Sequence, residues 1–327
     1  VVVSVIVVNY NGEKWIGRAL QCLINQTWQE REIIVVDNAS RDQSVALIRH
    51  DFPGVHLIEN GMNAGFSGGN LVGLKAAKGA FIALLNNDAF PNSSWLGCLL
   101  DAMRSNPEVG ICASRLIIDG TSLIDSAGDG CTTALRGYKR GEREHKDQHN
   151  EKGYAFGACA GAALYRRAMI DEIGFFDENF FLIHEDTDLN FRAQLAGWKC
   201  LYVPDAVVNH QVRSTIGSQS DLAIYYSTRN ADMVWIKNTP FGLMLRYLPH
   251  KLLLDIGLFI FFGIRKGRMR VFLKAKLDVL RLLPVMLKKR RQVQAMRKVS
   301  HKDLARLLTS IWKKEYLGTL WRRIMEG

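Results

Sequence analysis

Cysteine is scarce and scattered in this chain. Cys22, Cys98, Cys112, Cys131, Cys159 and Cys200 form no CxxC pair, and no histidine cluster stands beside them. A disulfide framework is out of place in a chain of 327 residues, which leaves buried thiols in a reducing compartment as the plain reading. Ser/Gly-rich and Gln/Asn-rich tracts are missing, and so are internal repeats. The longest apolar stretch of the C-terminal region, Leu252 to Ile264, has 13 residues and contains Asp255. A spanning helix needs about 20, so this stretch is expected to lie in the plane of a membrane, half-buried. The apolar start, Val1 to Val8, is short and lacks a basic flank. It reads as a buried strand rather than a signal peptide.

What is present is an apolar fraction of 48% with 23% charged residues, enough for one large domain or about two smaller ones. The charge is uneven. Residues 240–327 hold 21 Lys and Arg against 5 Asp and Glu, a net +16, whereas residues 1–239 hold 22 against 27, a net −5. A mildly acidic body with a basic tail suggests an anionic surface as partner. Arg265, Lys266, Arg268 and Arg270, then Lys288, Lys289, Arg290 and Arg291, follow the apolar stretch. Each contributes on the order of 1 kcal/mol beside anionic lipid. The tail has no interleaved exposed aromatics of the RNA-binding type, which favours lipid over nucleic acid.

Hydrophobic periodicity alternates between strand and helix over residues 1–117. VVVSVIVV is β-branched, as a strand buried on both faces should be. Trp15, Ile16, Ala19, Leu20, Leu23 and Ile24 recur at helical spacing. EIIVVD (32–37), 55–58, 80–85 and 109–117 read as strands; 44–49, 68–78 and a segment from Ser93 as cap to Arg104 read as helices. This order predicts an α/β fold: a mostly parallel central sheet flanked by helices, with a basic helical extension at the C-terminus. Residues 118–155, rich in Gly and charge, read as a loop or hairpin region. Regular structure resumes at 168–173 (helix), 187–196 (helix) and 200–203 (strand, followed by a turn at Pro204).

In an open α/β sheet, ligands bind at the carboxyl ends of the strands. Three such ends here are polar: Asn9-Tyr10-Asn11-Gly12, Asp37-Asn38-Ala39-Ser40 and Asn86-Asn87-Asp88. Each alone is as well explained by a turn or a helix cap. Three at one sheet edge suit a nucleoside or a cation better. The stretch Asn63-Ala64-Gly65-Phe66-Ser67-Gly68-Gly69-Asn70 places glycines where a backbone can approach a ligand. Neither GxGxxG after the first strand nor GK[ST] is present. Glu185-Asp186-Thr187-Asp188 puts three carboxylates just before a helix; they cap it, or one serves as general base for an alcohol. His210 is by itself a structural histidine, but with Asp88 it completes a mixed oxygen/nitrogen site suited to Mn²⁺.

In this order VSVIVVNYNG, EIIVVDNASRD, NAGFSGGN, LLNNDA and GFFDENFFLIHEDTDLNFRAQLAGWK resemble the inverting family 2 glycosyltransferases, most closely the rhamnosyltransferase-like branch. The likeness runs from residue 3 to about 215. It implies a GT-A fold, a nucleotide-diphospho-sugar donor and a divalent cation, Mn²⁺ or Mg²⁺. It also implies that Asn9, Asn11 and Asp37 hold the nucleoside, with Asp37 at a pyrimidine ring, and that Asn63 and Gly65 lie in the nucleotide-contacting loop. Asp88 matches the last carboxylate of the family's DxD-like motif. Here the motif is Asn86-Asn87-Asp88, so only one carboxylate is present, with His210 as candidate for the missing ligand. Asp186 matches the catalytic base, with Glu185 orienting the acceptor or sharing that role. On this basis residues 1–117 form the nucleotide-sugar half, 118–239 the acceptor and catalytic half, and 240–327 a membrane-associating tail on the cytoplasmic face. The expected donor is a dTDP- or UDP-sugar, and the expected acceptor a glycan or a polyprenyl-diphosphate-linked glycan. The QxxRW-like motif and spanning helices of processive synthases are not found, so single-sugar transfer is expected. The competing readings are a non-catalytic nucleotide- or membrane-binding module and a nucleotidyltransferase. The latter expects a basic, Gly-rich loop where Asn9 to Lys14 stands.

Overall fold

The β-branched start folds as β1 (Val3–Asn9), buried along almost its whole length, because a central strand offers apolar neighbours on both faces. In this computed structural model, which describes residues 2–212, 220–313 and 316–318, the chain continues through α1 (Ile16–Ile24), β2 (Arg31–Asp37), α2 (Ser44–Asp51), β3 (His56–Glu59), α3 (Gly65–Ala76), β4 (Phe81–Asn86), β5 (Ala89–Pro91) and α4 (Trp95–Arg104). Then come β6 (Val109–Ile118), β7 (Ile124–Ala127), β8 (Asp129–Thr132), β9 (Gly137–Lys139), β10 (Gly153–Ala155), β11 (Ala162–Arg166), α5 (Arg167–Ile173), α6 (Glu185–Leu195) and β12 (Lys199–His210). The C-terminal part holds α7 (Asp221–Asn238), α8 (Phe241–Leu258), a π-helical stretch (Phe259–Arg265), α9 (Met269–Ala295), α10 (His301–Leu307) and β13 (Leu308–Thr309).

Two units emerge that do not follow chain order. The first comprises Val1–Asp129, Lys139–Phe181 and Trp198–Val212; the second Gly130–Tyr138, Leu182–Gly197 and Arg213–Gly327. The segment expected as one acceptor half, 118–239, is shared between them. The first unit is built on a sheet of order β10-β12-β6-β11-β4-β1-β2-β3, with β5 on β12 and β7 on β6. β3, β2, β1 and β4 are mutually parallel; β11 runs antiparallel between β4 and β6, and β12 lies parallel to β6. The sheet is therefore mixed: its parallel half is the one read from alternation, and the reversal at β11 leaves the ends of β4 and β12 on the same edge. α1 buries Ile16, Ala19, Leu20 and Leu23 on one stripe, as its spacing predicts.

Several local expectations need correction. The helix expected over 68–78, α3, starts at Gly65, three residues earlier. A Cβ on Gly69 would stand 2.8 Å from Val8 and one on Gly73 2.5 Å from Ile6, so these glycines serve the close packing of α3 on β1. Ser93 does not cap α4; the helix starts at Trp95 after Ser94, with no side-chain cap bond. β12 does not stop before Pro204. It continues to His210 with an irregularity between Val203 and Val207, which absorbs the proline. The 118–155 region, read as loop or hairpin, contains β7 and β8, whose residues are all buried.

In the second unit a small sheet of order β13-β8-β9 accompanies the helices. α7 is an 18-residue helix that periodicity did not reveal. Ser220 caps it by accepting from the Ala223 amide. The apolar segment is longer than its 13-residue core suggests: Phe241–Arg265 is a continuous helical stretch of 25 residues, long and apolar enough by composition to cross a membrane. Two of its internal charges, Lys251 and Asp255, are turned inward. Lys251 Nζ lies 2.6 Å from Asp232 on α7 and 2.5 Å from Asp255, while Lys276 of α9 lies 2.8 Å from both carboxylates. Opposite them Leu252, Ile256 and Ile260 are 52%, 57% and 52% exposed. The expected tail helices beyond residue 318 lie outside the described residues.

Candidate functional site

Parallel register delivers the polar strand ends of the first unit to one edge. Asn9 stands opposite Asp37, and Val8 opposite Asn86. Asn9 is fully buried and acts as a hub: its Nδ2 donates to Asp37 Oδ1 at 2.8 Å and to Ser44 Oγ at 2.9 Å, and its Oδ1 accepts from Asn87 Nδ2 at 3.1 Å. Asp37 Oδ2 accepts from the Ser40 amide at 2.9 Å and Oδ1 from the Ser40 hydroxyl at 2.5 Å. Asn11, at a φ of 50°, accepts from the Arg41 amide at 2.8 Å and so ties the first strand-end turn to the second. Gly12 is required here, because a Cβ would fall 2.2 Å from Asn9 Oδ1 and 2.3 Å from Asn87 Nδ2.

Asn63 Oδ1 accepts from the Gly65 amide at 2.9 Å, and the Gly65 carbonyl accepts from Asn38 Nδ2 at 2.9 Å. Gly65 has a φ of +70°, and a Cβ there would lie 2.5 Å from the Phe181 carbonyl. Only glycine satisfies both the left-handed backbone and that approach.

Asp88 follows β4, and His210 ends β12, where it stands in register with Ala89 of β5. The pairing of β5 with β12 thus joins two residues 122 positions apart in sequence. His210 Nε2 is 3.3 Å from Asp88 Oδ1, and its Nδ1 is 2.9 Å from Asp125 Oδ2. Burial opposes charge on the imidazole, but hydrogen bonds to Asp125 and Asp88 outweigh it and push its pKa up to about 9. Asp125 is itself buried, which favours its neutral form; Lys139 and His210 overcome that and hold its carboxyl well below the usual range. Lys139 Nζ meets both Asp125 oxygens, at 2.7 and 2.8 Å. Neither Asp125 nor Lys139 was found from sequence. Both fall in the region read as loop, and a single Asp within a short strand gives no pattern to detect.

A donor set of one carboxylate and one imidazole suits a cation that takes its remaining ligands from phosphate and water. Cis ligands at bonds of about 2.1 Å stand about 3 Å apart, close to the 3.3 Å between Nε2 and Oδ1. Among the described residues no group of three or more His, Cys, Asp or Glu side chains gathers as a metal site.

Glu185, Asp186 and Asp188 open α6 in the second unit, and the three have different environments. Asp188, fully buried, accepts from Arg192 Nε at 3.0 Å, Lys237 Nζ at 2.7 Å and Asn238 Nδ2 at 2.9 Å. It locks α6 to α7. Glu185 is 7% exposed, and its Oε2 has no hydrogen-bond partner among the described residues. Burial, with Asp186 and then Asp188 adding to it, raises its pKa well above the ordinary value. Asp186 is half-buried, and its Oδ1 accepts from the Thr187 amide at 2.6 Å. The turn into α6 is strained: Ile183 and His184 have φ of 64° and 70°. A β-branched residue rarely adopts that region. Asn230 of α7 pins it, donating to the Leu182 and Ile183 carbonyls, both at 2.7 Å.

Comparison with known proteins agrees with this architecture. The model of glycosyl transferase family 2 matches residues 4–174, more than half of the chain. The chain is 26% identical over 244 residues to the N-acetylglucosaminyl-diphospho-decaprenol L-rhamnosyltransferase of Mycobacterium tuberculosis, covering 65% of this chain and 78% of that protein. Among solved structures it resembles S. aureus TarS 1-349 in complex with UDP-GlcNAc, with a TM-score of 0.56, 18% identity, and 90% and 91% of the two chains covered. It also resembles the mannosyltransferase PcManGT of Pyrobaculum calidifontis in complex with GDP-Man and Mn²⁺, with a TM-score of 0.54, 16% identity, and 99% and 84% covered. With the GT-A-like sheet, the strand-end polar residues and the ordered motifs all in place, the chain belongs to glycosyl transferase family 2.

Proposed function

We propose that this glycosyltransferase moves one sugar, with rhamnose the favoured candidate, from a dTDP- or UDP-sugar to a hydroxyl of a lipid-linked glycan, inverting the anomeric centre. The observation that carries the reading is the gathering of Asn9, Asp37, Asn87, Asp88 and His210 at one edge of the first unit's sheet. Asn9 and Asp37 hold the nucleoside, backed by Asn11, Asn63 and Gly65. Asp88 and His210 would hold a divalent cation, Mn²⁺ or Mg²⁺, which would supply positive charge to the diphosphate leaving group. Mn²⁺ in the mannosyltransferase structure supports that choice by analogy. Asp186 accepts the proton of the acceptor hydroxyl. The hydroxyl oxygen forms its bond to C1 from the side opposite the diphosphate, and the C1–O bond to the nucleoside diphosphate breaks.

Of the three carboxylates on α6, Asp186 is the one suited to be a base. Asp188 is occupied by two cations and an amide, and Glu185 is held towards its neutral form. Glu185 then serves to orient the acceptor. The mycobacterial relative's decaprenol-linked acceptor supports a polyprenyl-linked acceptor here. The outward leucines and isoleucines of α8, followed by Arg265, Lys266, Arg268 and Arg270, support peripheral attachment to the cytoplasmic face of a membrane.

The test is Asp186→Asn with a panel of nucleotide sugars. Transfer should be abolished while thermal stabilisation by the nucleotide, with and without Mn²⁺ or Mg²⁺, persists. Near-normal turnover of that variant would remove Asp186 from the mechanism. Failure of every nucleotide sugar to stabilise the wild-type chain would remove the donor assignment.

A further inference from the structure

Asp125 belongs to none of the motifs that mark the family, and yet it has a built place beside the candidate cation site. Its strand, β7, pairs antiparallel with β6 so that Ser126 stands opposite Leu116 and Ile124 opposite Ile117. Asp125 falls between these pairs and has no partner across the ladder. It is the extra residue of a β-bulge, a device that re-aims a side chain. On the other side of β6 lies β12, with His210 opposite Ile118. The bulge turns the Asp125 carboxylate onto His210 Nδ1 at 2.9 Å, and Lys139 from β9 clamps both carboxylate oxygens. Asp125 is 2% exposed, so the pair is shielded from competing water.

An imidazole has two nitrogens, and the partner of one decides what the other can do. A carboxylate at Nδ1 keeps a proton there, fixes the ring plane and makes the Nε2 lone pair the one available to a cation. In this chain Nε2 is the nitrogen that faces Asp88. We infer that Asp125, held by Lys139, is a positioning residue that presents His210 Nε2 to a divalent cation shared with Asp88. The inference rests on the assignment of Asp88 and His210 as cation-holding residues. It adds that the site's affinity is set from behind, by a residue that touches neither cation nor substrate. With only one carboxylate left in the DxD-like motif, the imidazole has a larger share of the binding to carry.

The experiment is a Mn²⁺ titration followed by electron paramagnetic resonance, in the presence of UDP and again with dTDP. It uses the full chain and the variants Asp125→Ala, Asp125→Asn, Lys139→Met and His210→Ala. Loss of an orienting partner of a metal-bound histidine costs about 10- to 100-fold in affinity, and that loss is expected for Asp125→Ala. Asp125→Asn keeps an acceptor for Nδ1–H and should lose less, which a merely structural ion pair would not predict. Lys139→Met, which leaves the carboxylate in place, should fall between wild type and Asp125→Ala and guards against misfolding of the alanine variant. If His210→Ala weakens Mn²⁺ binding and all three Asp125 and Lys139 variants bind as wild type, the positioning role is overturned while the cation site stands. If His210→Ala binds Mn²⁺ as wild type does, both fall. A ¹⁵N spectrum of His210 gives a second readout: the Nδ1–H tautomer is expected in Mn²⁺-free protein above the imidazole's titration, and its loss in Asp125→Ala.

Discussion

Asp188→Asn separates the structural member of the α6 carboxylates from the one proposed as base. The substitution keeps volume and removes one buried negative charge shared by Arg192 and Lys237, which are 5% and 2% exposed. Coulomb attraction in that buried setting had offset the desolvation of both cations. Breaking a buried ion pair from one side costs about 3–5 kcal/mol. For units of this size each kcal/mol moves the melting temperature by about 2–4 °C, so the midpoint should fall by roughly 6–20 °C. Asp186 Oδ1 accepts from the Thr187 amide and hydroxyl, bonds that an asparagine Oδ1 also accepts, so Asp186→Asn should lower the midpoint less than Asp188→Asn does. The assay is thermal unfolding of both variants by circular dichroism and by tryptophan fluorescence, in parallel with donor-dependent transfer. A midpoint for Asp188→Asn equal to wild type would refute the claim that this carboxylate locks α6 to α7. The reverse order of stabilities would refute the division of roles altogether.

Two further outcomes follow from the same geometry. Glu185 has a folded pKa raised above its unfolded value of about 4.3, so its ionisation weakens the fold as pH rises from the unfolded pKa through the folded one, and the penalty is complete above the latter. Glu185→Gln should therefore gain stability relative to wild type as pH rises above the unfolded pKa; an unchanged pH profile of unfolding would contradict it. Replacing Leu252, Ile256 and Ile260 together by serine should release the protein from vesicles containing anionic lipid without altering transfer to a soluble acceptor, since these side chains point away from the Lys251–Asp232–Asp255–Lys276 cluster; vesicle co-sedimentation equal to wild type would remove α8 from membrane attachment. This is a better probe than removing residues 240–327, because α8 and α9 supply Lys251 and Lys276 to Asp232 of α7, and the truncation would remove those partners as well.

Much of the fold was legible because its signals are local. The β-branched runs of β1 and β2 and the apolar run of β4 suit strands buried in a central sheet, and the polar residues that end them mark one edge. The order of motifs carried the family. Other features have no local signature. β11 reverses direction within the sheet, and nothing in AALYR announces it. α7 was missed because it buries residues around most of its circumference, including Arg229, Asn230, Lys237 and Asn238, so apolar spacing gives no stripe. The glycines of the 63–70 stretch looked like ligand-approach residues, and one of them, Gly69, proves to be a spacing residue against Val8.

The sequence by itself determined the alternation of elements, the basic tail and the identity of the polar strand ends, since each depends on residues within a few positions of one another. Only the tertiary structure decided what the ionisable groups are for. Whether a carboxylate is a lock, a neutral acid or a base depends on which cations and how little water surround it, and those neighbours come from strands and helices far apart in the chain. Asp188 meets Lys237, and His210 meets Asp88 and Asp125, because the fold brings them together at hydrogen-bonding distance.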